Sequence, residues 1–233
     1  MRVAIIQSNY IPWKGYFDII RDVDTFVFLD DVQFTVRDWR SRNRVKTKDG
    51  LKWLTVPVGA DTSRLIHEVA IADDRWQRQH WRIIEQNYAK APYFSHYREL
   101  FEEFYCGRTW TNLSEMNQYL TRRIANECLG ITTAFRDSCE FTVEGRKLDR
   151  LLDLVRQAGA TTYLSGPSAR DYIDDARFEQ AGIALEYKDY SGYPEYPQMH
   201  PPFEHAVSIL DLLFNVGPDA PYYLWGWREG AHR

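Results

Sequence analysis

Five groups of residues combine side-chain types that could do chemistry with positions that suit it. The first is Gln7-Ser8-Asn9-Tyr10-Ile11-Pro12-Trp13-Lys14-Gly15-Tyr16, which follows the apolar run Val3-Ala4-Ile5-Ile6. A polar loop between a buried strand and a helix can hold an anion or a polar substrate on unpaired helix N–H groups. Gln7, Tyr10 and Lys14 are the candidate contacts, Tyr10 with Trp13 a stacking platform, and Gly15 a point of close backbone approach. The plainer reading is that the aromatics staple the helix to a sheet, and that is expected for Phe17 and Ile20. The second group, Asp30-Asp31 with Gln33, closes the run Thr25-Phe26-Val27-Phe28-Leu29. Paired carboxylates there could orient a hydroxylated substrate, act as a base through Asp31 or hold a divalent cation, or could simply be a solvated turn. Their spacing specifies no metal.

Arg42-Asn43-Arg44 is the centre of a basic stretch from 37 to 46 and forms the third group. Guanidinium forks recognise phosphate or carboxylate bidentately, although a run this short is often a solvated edge. The fourth, Ser165-Gly166-Pro167-Ser168-Ala169-Arg170-Asp171-Tyr172, is a small-residue turn from a strand into a helix. Ser165, Gly166 and Arg170 could cradle an anion, more weakly than a Walker loop because its lysine and glycine spacing are missing. The fifth is the Pro/Tyr-rich stretch from 193 to 203 with Glu204 and His205. It offers Gln198 as a substrate contact and His200 or His205 as acid or base, against the ordinary case of an inert surface histidine.

Positioning these groups requires alternating strands and helices. Strands are expected at 3–6, 25–29, 53–58, 132–135, 161–164 and 183–187, and helices at 13–21, 74–87, 93–105, 147–158 and 204–214, with a short one from 169. Asn112 and Glu115 form a capping box for a further helix. The first strand, helix and strand fit within about thirty residues, as in a βαβ unit of a parallel sheet. The expectation is a Rossmann-like, doubly wound α/β fold with a mainly parallel sheet. Residues 1–73 and 129–233 form the two halves of its core, and 74–128 a helical insertion in one compact domain.

Composition narrows the function. The 233 residues are 44% hydrophobic and 27% charged, ordinary globular usage, and the net charge of −4 argues against a nucleic-acid partner. Aromatic residues reach 15%, and several sit in polar loops where rings could stack on a flat or sugar-like ligand. Cys106, Cys128 and Cys139 are widely spaced without a CxxC, against a disulfide framework or thiolate zinc site and in keeping with a reducing compartment. No stretch has the length of a transmembrane segment, so a cytoplasmic, or at most peripheral, protein is expected.

The motifs Gln7-x-x-Tyr10-x-Pro12-Trp13-x-Gly15-Tyr16-Phe17, Asp30-Asp31-Val32-Gln33-Phe34, Arg42-Asn43-Arg44 and Trp53-Leu54-Thr55-Val56-Pro57 resemble the WbqC-like proteins. So do Tyr163-Leu164-Ser165-Gly166, Arg170-Asp171-Tyr172, Tyr196-Pro197-Gln198 and the stretch from Ser208 to Gly217. The resemblance runs in order along nearly the whole chain and is weakest from 59 to 128. It implies a place in O-antigen-like polysaccharide or specialised-metabolite biosynthesis. The corresponding expectation is a transferase that puts an acyl, aminoacyl or related group on an amino-bearing substrate, with small-molecule donor and acceptor, nucleotide-linked or carrier-linked. In it Asp31 or His200 is the base, and Arg42, Arg44 and Arg170 are anion clamps. Neither a cofactor nor an oligomeric state is specified. A more distant likeness places Pro12-Trp13-Lys14-Gly15-Tyr16 where HIGH-superfamily nucleotidylyltransferases and adenylate-forming ligases carry His-x-Gly-His. Trp13 and Tyr16 replace both histidines, which counts against nucleotidyl transfer. A third expectation is a non-catalytic binding subunit.

Overall fold

A continuous β-branched run can bury both side-chain faces inside a parallel sheet, and β1 (Arg2–Ile6) does so at the sheet's centre. In the computed structural model, which describes residues 1–171 and 173–230, β1 pairs with β2 (Thr25–Phe28) on one side and β6 (Thr162–Ser165) on the other. Tyr172, part of two motifs above, lies outside the described residues. β5 (Ala134–Asp137) flanks β2 and β7 (Ala184–Tyr187) flanks β6, giving the order β5-β2-β1-β6-β7 with every pairing parallel. The mixed α/β, Rossmann-like fold expected from the alternating pattern is present.

Period-two alternation divides the core into two layers. Val3, Ile5 and Val27 point to α5 (Leu148–Gln157) and α6 (Asp175–Gln180). Ala4, Phe26 and Phe28 face α1 (Lys14–Arg21), α2 (Arg75–Tyr88), α3 (Phe94–Cys106), α4 (Leu113–Arg123) and α7 (Ile209–Val216). No helix among the described residues is long and apolar enough to cross a membrane.

Three element boundaries differ from expectation for physical reasons. The strand expected at 53–58 is instead β4 (Gly50–Thr55), and it pairs antiparallel with β3 (Arg42–Thr47) in a separate hairpin. The basic stretch hides this strand because its alternation buries Asn43 and Val45 while Arg42 and Arg44 stay half-exposed. Gly50, at φ 107°, makes the turn. The helix expected from 204 starts only at Ile209, because the Ser208 amide donates to the Arg44 carbonyl at 2.9 Å before its hydroxyl caps α7. The strand expected at 132–135 lies two residues later, and α6 and α8 (Trp227–Gly230) were not expected.

The first loop is driven into the helical layer by Tyr10. Its hydroxyl lies 2.8 Å from His80 Nδ1 and 2.6 Å from the Tyr105 hydroxyl, in a buried cluster with Trp76. Burial brings the His80 imidazole down to about 4, so the folded protein holds it neutral where the unfolded chain protonates near 6.5. The folded state binds fewer protons in that window, so this contribution is complete above pH 6.5 and is lost as pH falls toward 4. Denaturant titrations at pH 7 and 4.5 should show wild type losing about 2 kcal/mol more than His80→Gln. Equal losses would exclude a neutral buried His80.

Candidate functional site

β1 is where the winding reverses: the crossover through α1 leads to β2 on one side, whereas β6 pairs on the other. Loops leaving the carboxyl ends of β1 and β6 therefore diverge, and a crevice opens between them. It holds a cavity of about 620 Å³. Gln7 lines it from the end of β1, and Ser165 and Gly166 from the end of β6. Ile5, Leu151, Leu154, Tyr163 and Ile173 form apolar walls, and Lys147 and Arg150 bring positive charge at the start of α5. Lys147 precedes that helix in a left-handed conformation, φ 51°. Arg150 is ion-paired to Asp31, which also accepts from the Ser138 hydroxyl at 2.6 Å. Asp31 thus holds Arg150 at the cavity.

Asp30 points elsewhere. Fully buried, it accepts the Ser8 amide at 2.8 Å, the Ser114 hydroxyl and the Gln118 amide at 3.2 Å. Burial raises its carboxyl while these donors oppose the shift. It ties the first loop to α4, and the two adjacent carboxylates serve separate partners. Among the described residues no group of three His, Cys, Asp or Glu is arranged to hold a metal.

On the far side of the same loop the hairpin closes a smaller cleft of about 270 Å³, lined by Asn9, Pro12, Trp13, Trp39, Asn43 and Ala206. Asn43 is a structural clamp: its amide donates to the Tyr10 and Ile11 carbonyls at 3.1 and 2.9 Å, holding Ile11 at φ 36°. Arg42 stacks on Trp53 at 4.3 Å, Arg44 lies 5.8 Å from the Trp39 ring, and the two indoles are 5.5 Å apart. Trp13 also covers Gly15. A Cβ there would meet the indole at 2.2 Å, so the glycine admits a ring of the protein itself to the first turn of α1.

The remaining candidates lie outside both openings' lining. Tyr10 is fully buried and serves the Tyr105–His80 cluster, so it forms no stacking platform for a ligand. Gln33 donates to the Thr62 carbonyl at 3.1 Å. Arg170 stacks on Tyr187 at 4.7 Å. Gln198 bridges Lys46, Tyr196 and Asp211 in a polar cluster beneath the Pro/Tyr-rich stretch. His200 Nε2 lies 3.3 Å from the Asn87 carbonyl, and His205 packs edge-on against Phe203. Burial, with Lys14 second, lowers the His205 imidazole. Lys147, Arg150 and Trp39 were missed by sequence reasoning. Single cations on a helix read as solvated, and only the long-range pairing of β1 with β6 brings these two beside Gln7.

Lys14 is 2% exposed and its Nζ has no hydrogen-bond partner among the described residues. It sits 4.7 Å from the centre of the Tyr193 ring, 5.4 Å from Tyr196 and 5.9 Å from Phe203. Burial outweighs the pull of Asp18 and Asp211 and brings the amine down to about 8.

The chain belongs to the WbqC-like protein family, whose model matches residues 7–223. An uncharacterized protein of Mycobacterium tuberculosis is 47% identical over 225 residues, covering 96% of this chain and 97% of that one. No solved structure matches it.

The Lys14 environment has a measurable sign. The folded protein loses this proton above about pH 8 and the unfolded chain near 10.5, so stability rises with pH across that window. Relative to Lys14→Met, wild type should gain stability between pH 8 and 10.5, and at pH 7 the variant should melt at an equal or higher temperature. Destabilisation of the variant at pH 7 by more than about 2 kcal/mol would show that the three rings stabilise the ammonium beyond its desolvation cost.

Proposed function

We propose that this member of the WbqC-like family is a group-transfer enzyme. It holds the donor in the switch-point cavity and passes an acyl, aminoacyl or related group to an amino-bearing acceptor. The observation that carries the reading is the cavity of about 620 Å³ at the reversal of strand order, within the range that holds a small molecule. Its apolar walls suit an acyl chain or flat ring. Lys147 and Arg150 at the start of a ten-residue helix suit the phosphate of a nucleotide-linked or carrier-linked donor. In the transfer, the acceptor nitrogen forms a bond to the acyl carbon and the bond from that carbon to the donor's oxygen or sulfur breaks. The leaving group takes the electron pair of the broken bond and, with it, the proton that the nitrogen gives up.

The polysaccharide or specialised-metabolite setting follows from the sequence resemblance. A cytoplasmic location follows from cysteine usage. The nucleotidyl or adenylate-forming alternative is disfavoured by Trp13, whose ring lies over Gly15 where a phosphate would approach the first turn of α1. A non-catalytic binding subunit would need the same cavity but no turnover.

Gly166 offers a clean test. Gly166 lines the cavity and a Cβ added there meets nothing within 4 Å, so a larger side chain is expected to narrow the cavity at little cost in stability. Calorimetry with acyl-coenzyme A thioesters and a non-hydrolysable aminoacyl-adenylate analogue should find a binder whose affinity falls at least tenfold in Gly166→Leu and in Arg150→Ala, with melting temperatures little changed in the former. If no compound in the panel binds more weakly to Gly166→Leu than to wild type, the donor assignment is overturned. Binding without transfer to any amine would favour the subunit reading.

A further inference from the structure

The hairpin beyond the first loop has properties that folding alone does not require. Of the six large hydrophobic side chains exposed among the described residues, four lie at 36–53: Val36, Trp39, Leu51 and Trp53, with the two indoles 44% and 43% exposed. Residues 37–53 carry seven Arg or Lys against two Asp, in a chain whose net charge is −4. Aromatic side chains and arginine are both enriched at interaction surfaces, and here they are exposed together.

Register explains how the surface is built. Arg44 is directly opposite Trp53 and Arg42 lies two residues along the same strand, so all three share one face of the hairpin. Among the described residues neither arginine forms an ion pair, and the Nε of each is buried without a hydrogen-bond partner. Stacking on indole, not a carboxylate, holds the guanidinium groups, so their charge is left for an outside anion. Trp39 joins this face to the cleft of about 270 Å³, because its ring is both a wall of the cleft and a neighbour of Arg44. That volume is just below the usual range for whole small molecules and fits a single ring.

We propose that the cleft and the Arg42–Arg44 face form a second ligand site, for a ring that carries a phosphate. The ring enters beside Trp39 and Trp13, and the phosphate remains outside on the two guanidinium groups. A nucleotide and a sugar phosphate share this chemistry. The concave cleft favours such a ligand over a protein surface, which would cover the indoles without entering it. The site does not depend on the donor assignment, since its lining residues are different. If that assignment holds, the first loop separates the two ligands, with Gln7 facing one and Asn9 the other.

The test is calorimetry of the full-length protein with UDP, glucose 1-phosphate and inorganic pyrophosphate, on wild type, Trp39→Ala, Arg44→Gln and Gly166→Leu. Trp39 and Arg44 are partly exposed, and a thermal melt of each variant checks that it folds. UDP or glucose 1-phosphate should bind, at least tenfold more weakly in Trp39→Ala and in Arg44→Gln, and as in wild type in Gly166→Leu. Wild-type affinity should also fall with added salt more steeply than that of Arg44→Gln. Preference for UDP would identify a nucleobase in the cleft, and preference for glucose 1-phosphate a sugar. The proposal is overturned if pyrophosphate binds as tightly as both ring ligands, if binding is lost in Gly166→Leu but kept in Trp39→Ala, or if neither ring ligand binds.

Discussion

A buried loop must find partners for the backbone polar groups it takes out of water, and residues 7–12 draw theirs from the whole molecule. The Tyr16 hydroxyl donates to the Gln7 carbonyl and Asp30 accepts from the Ser8 amide. The Tyr10 amide reaches the Trp39 carbonyl, and the Asn43 side chain donates to two consecutive carbonyls. Ile209, in the first turn of α7, donates to the Pro12 carbonyl. Sheet, hairpin and helices are thereby fastened to one short segment. Ile11 keeps a positive φ of 36° while Asn43 grips its carbonyl and that of Tyr10.

That fastening makes the two layers unlike. On the α5–α6 face the sheet is covered by two helices, and a large opening remains at the strand ends. The opposite face carries the hairpin, α1 to α4 and α7, and buried polar networks such as Tyr88–Asp211–Tyr196. Burial raises the Asp211 carboxyl while its hydroxyl and amide donors oppose the shift. Four residues that read as reactive by type, Tyr10, Asp30, Asn43 and Gln198, make internal hydrogen bonds on this side of the molecule.

The sheet was legible wherever a strand is apolar on both faces. Val3 to Ile6 and Thr25 to Leu29 could be nothing else, and the polar residues after them marked the sheet's carboxyl edge. The hairpin was not, because its charges mimic a solvated loop and the burial of Asn43 and Val45 shows only in register. At the site, Gln7, Ser165 and Gly166 were legible from position after a strand. Lys147 and Arg150 were not, since their place depends on a crossover that joins distant parts of the chain. Lys14 was visible as a residue, but the rings enclosing it come from 193–203, beyond the reach of local pattern.

The pairing of β1 with both β2 and β6 also has a consequence in time. β2 leaves the ribosome soon after β1, whereas β6 follows more than a hundred residues later, a delay on the order of ten seconds at ordinary elongation rates. Until then one edge of the central strand has no neighbour, an open template for pairing with another nascent chain. The crevice walls from residues 5–7 and 147–173 meet only when that edge closes. The switch-point cavity thus closes late, and the newly made chain most needs protection while it is still without one.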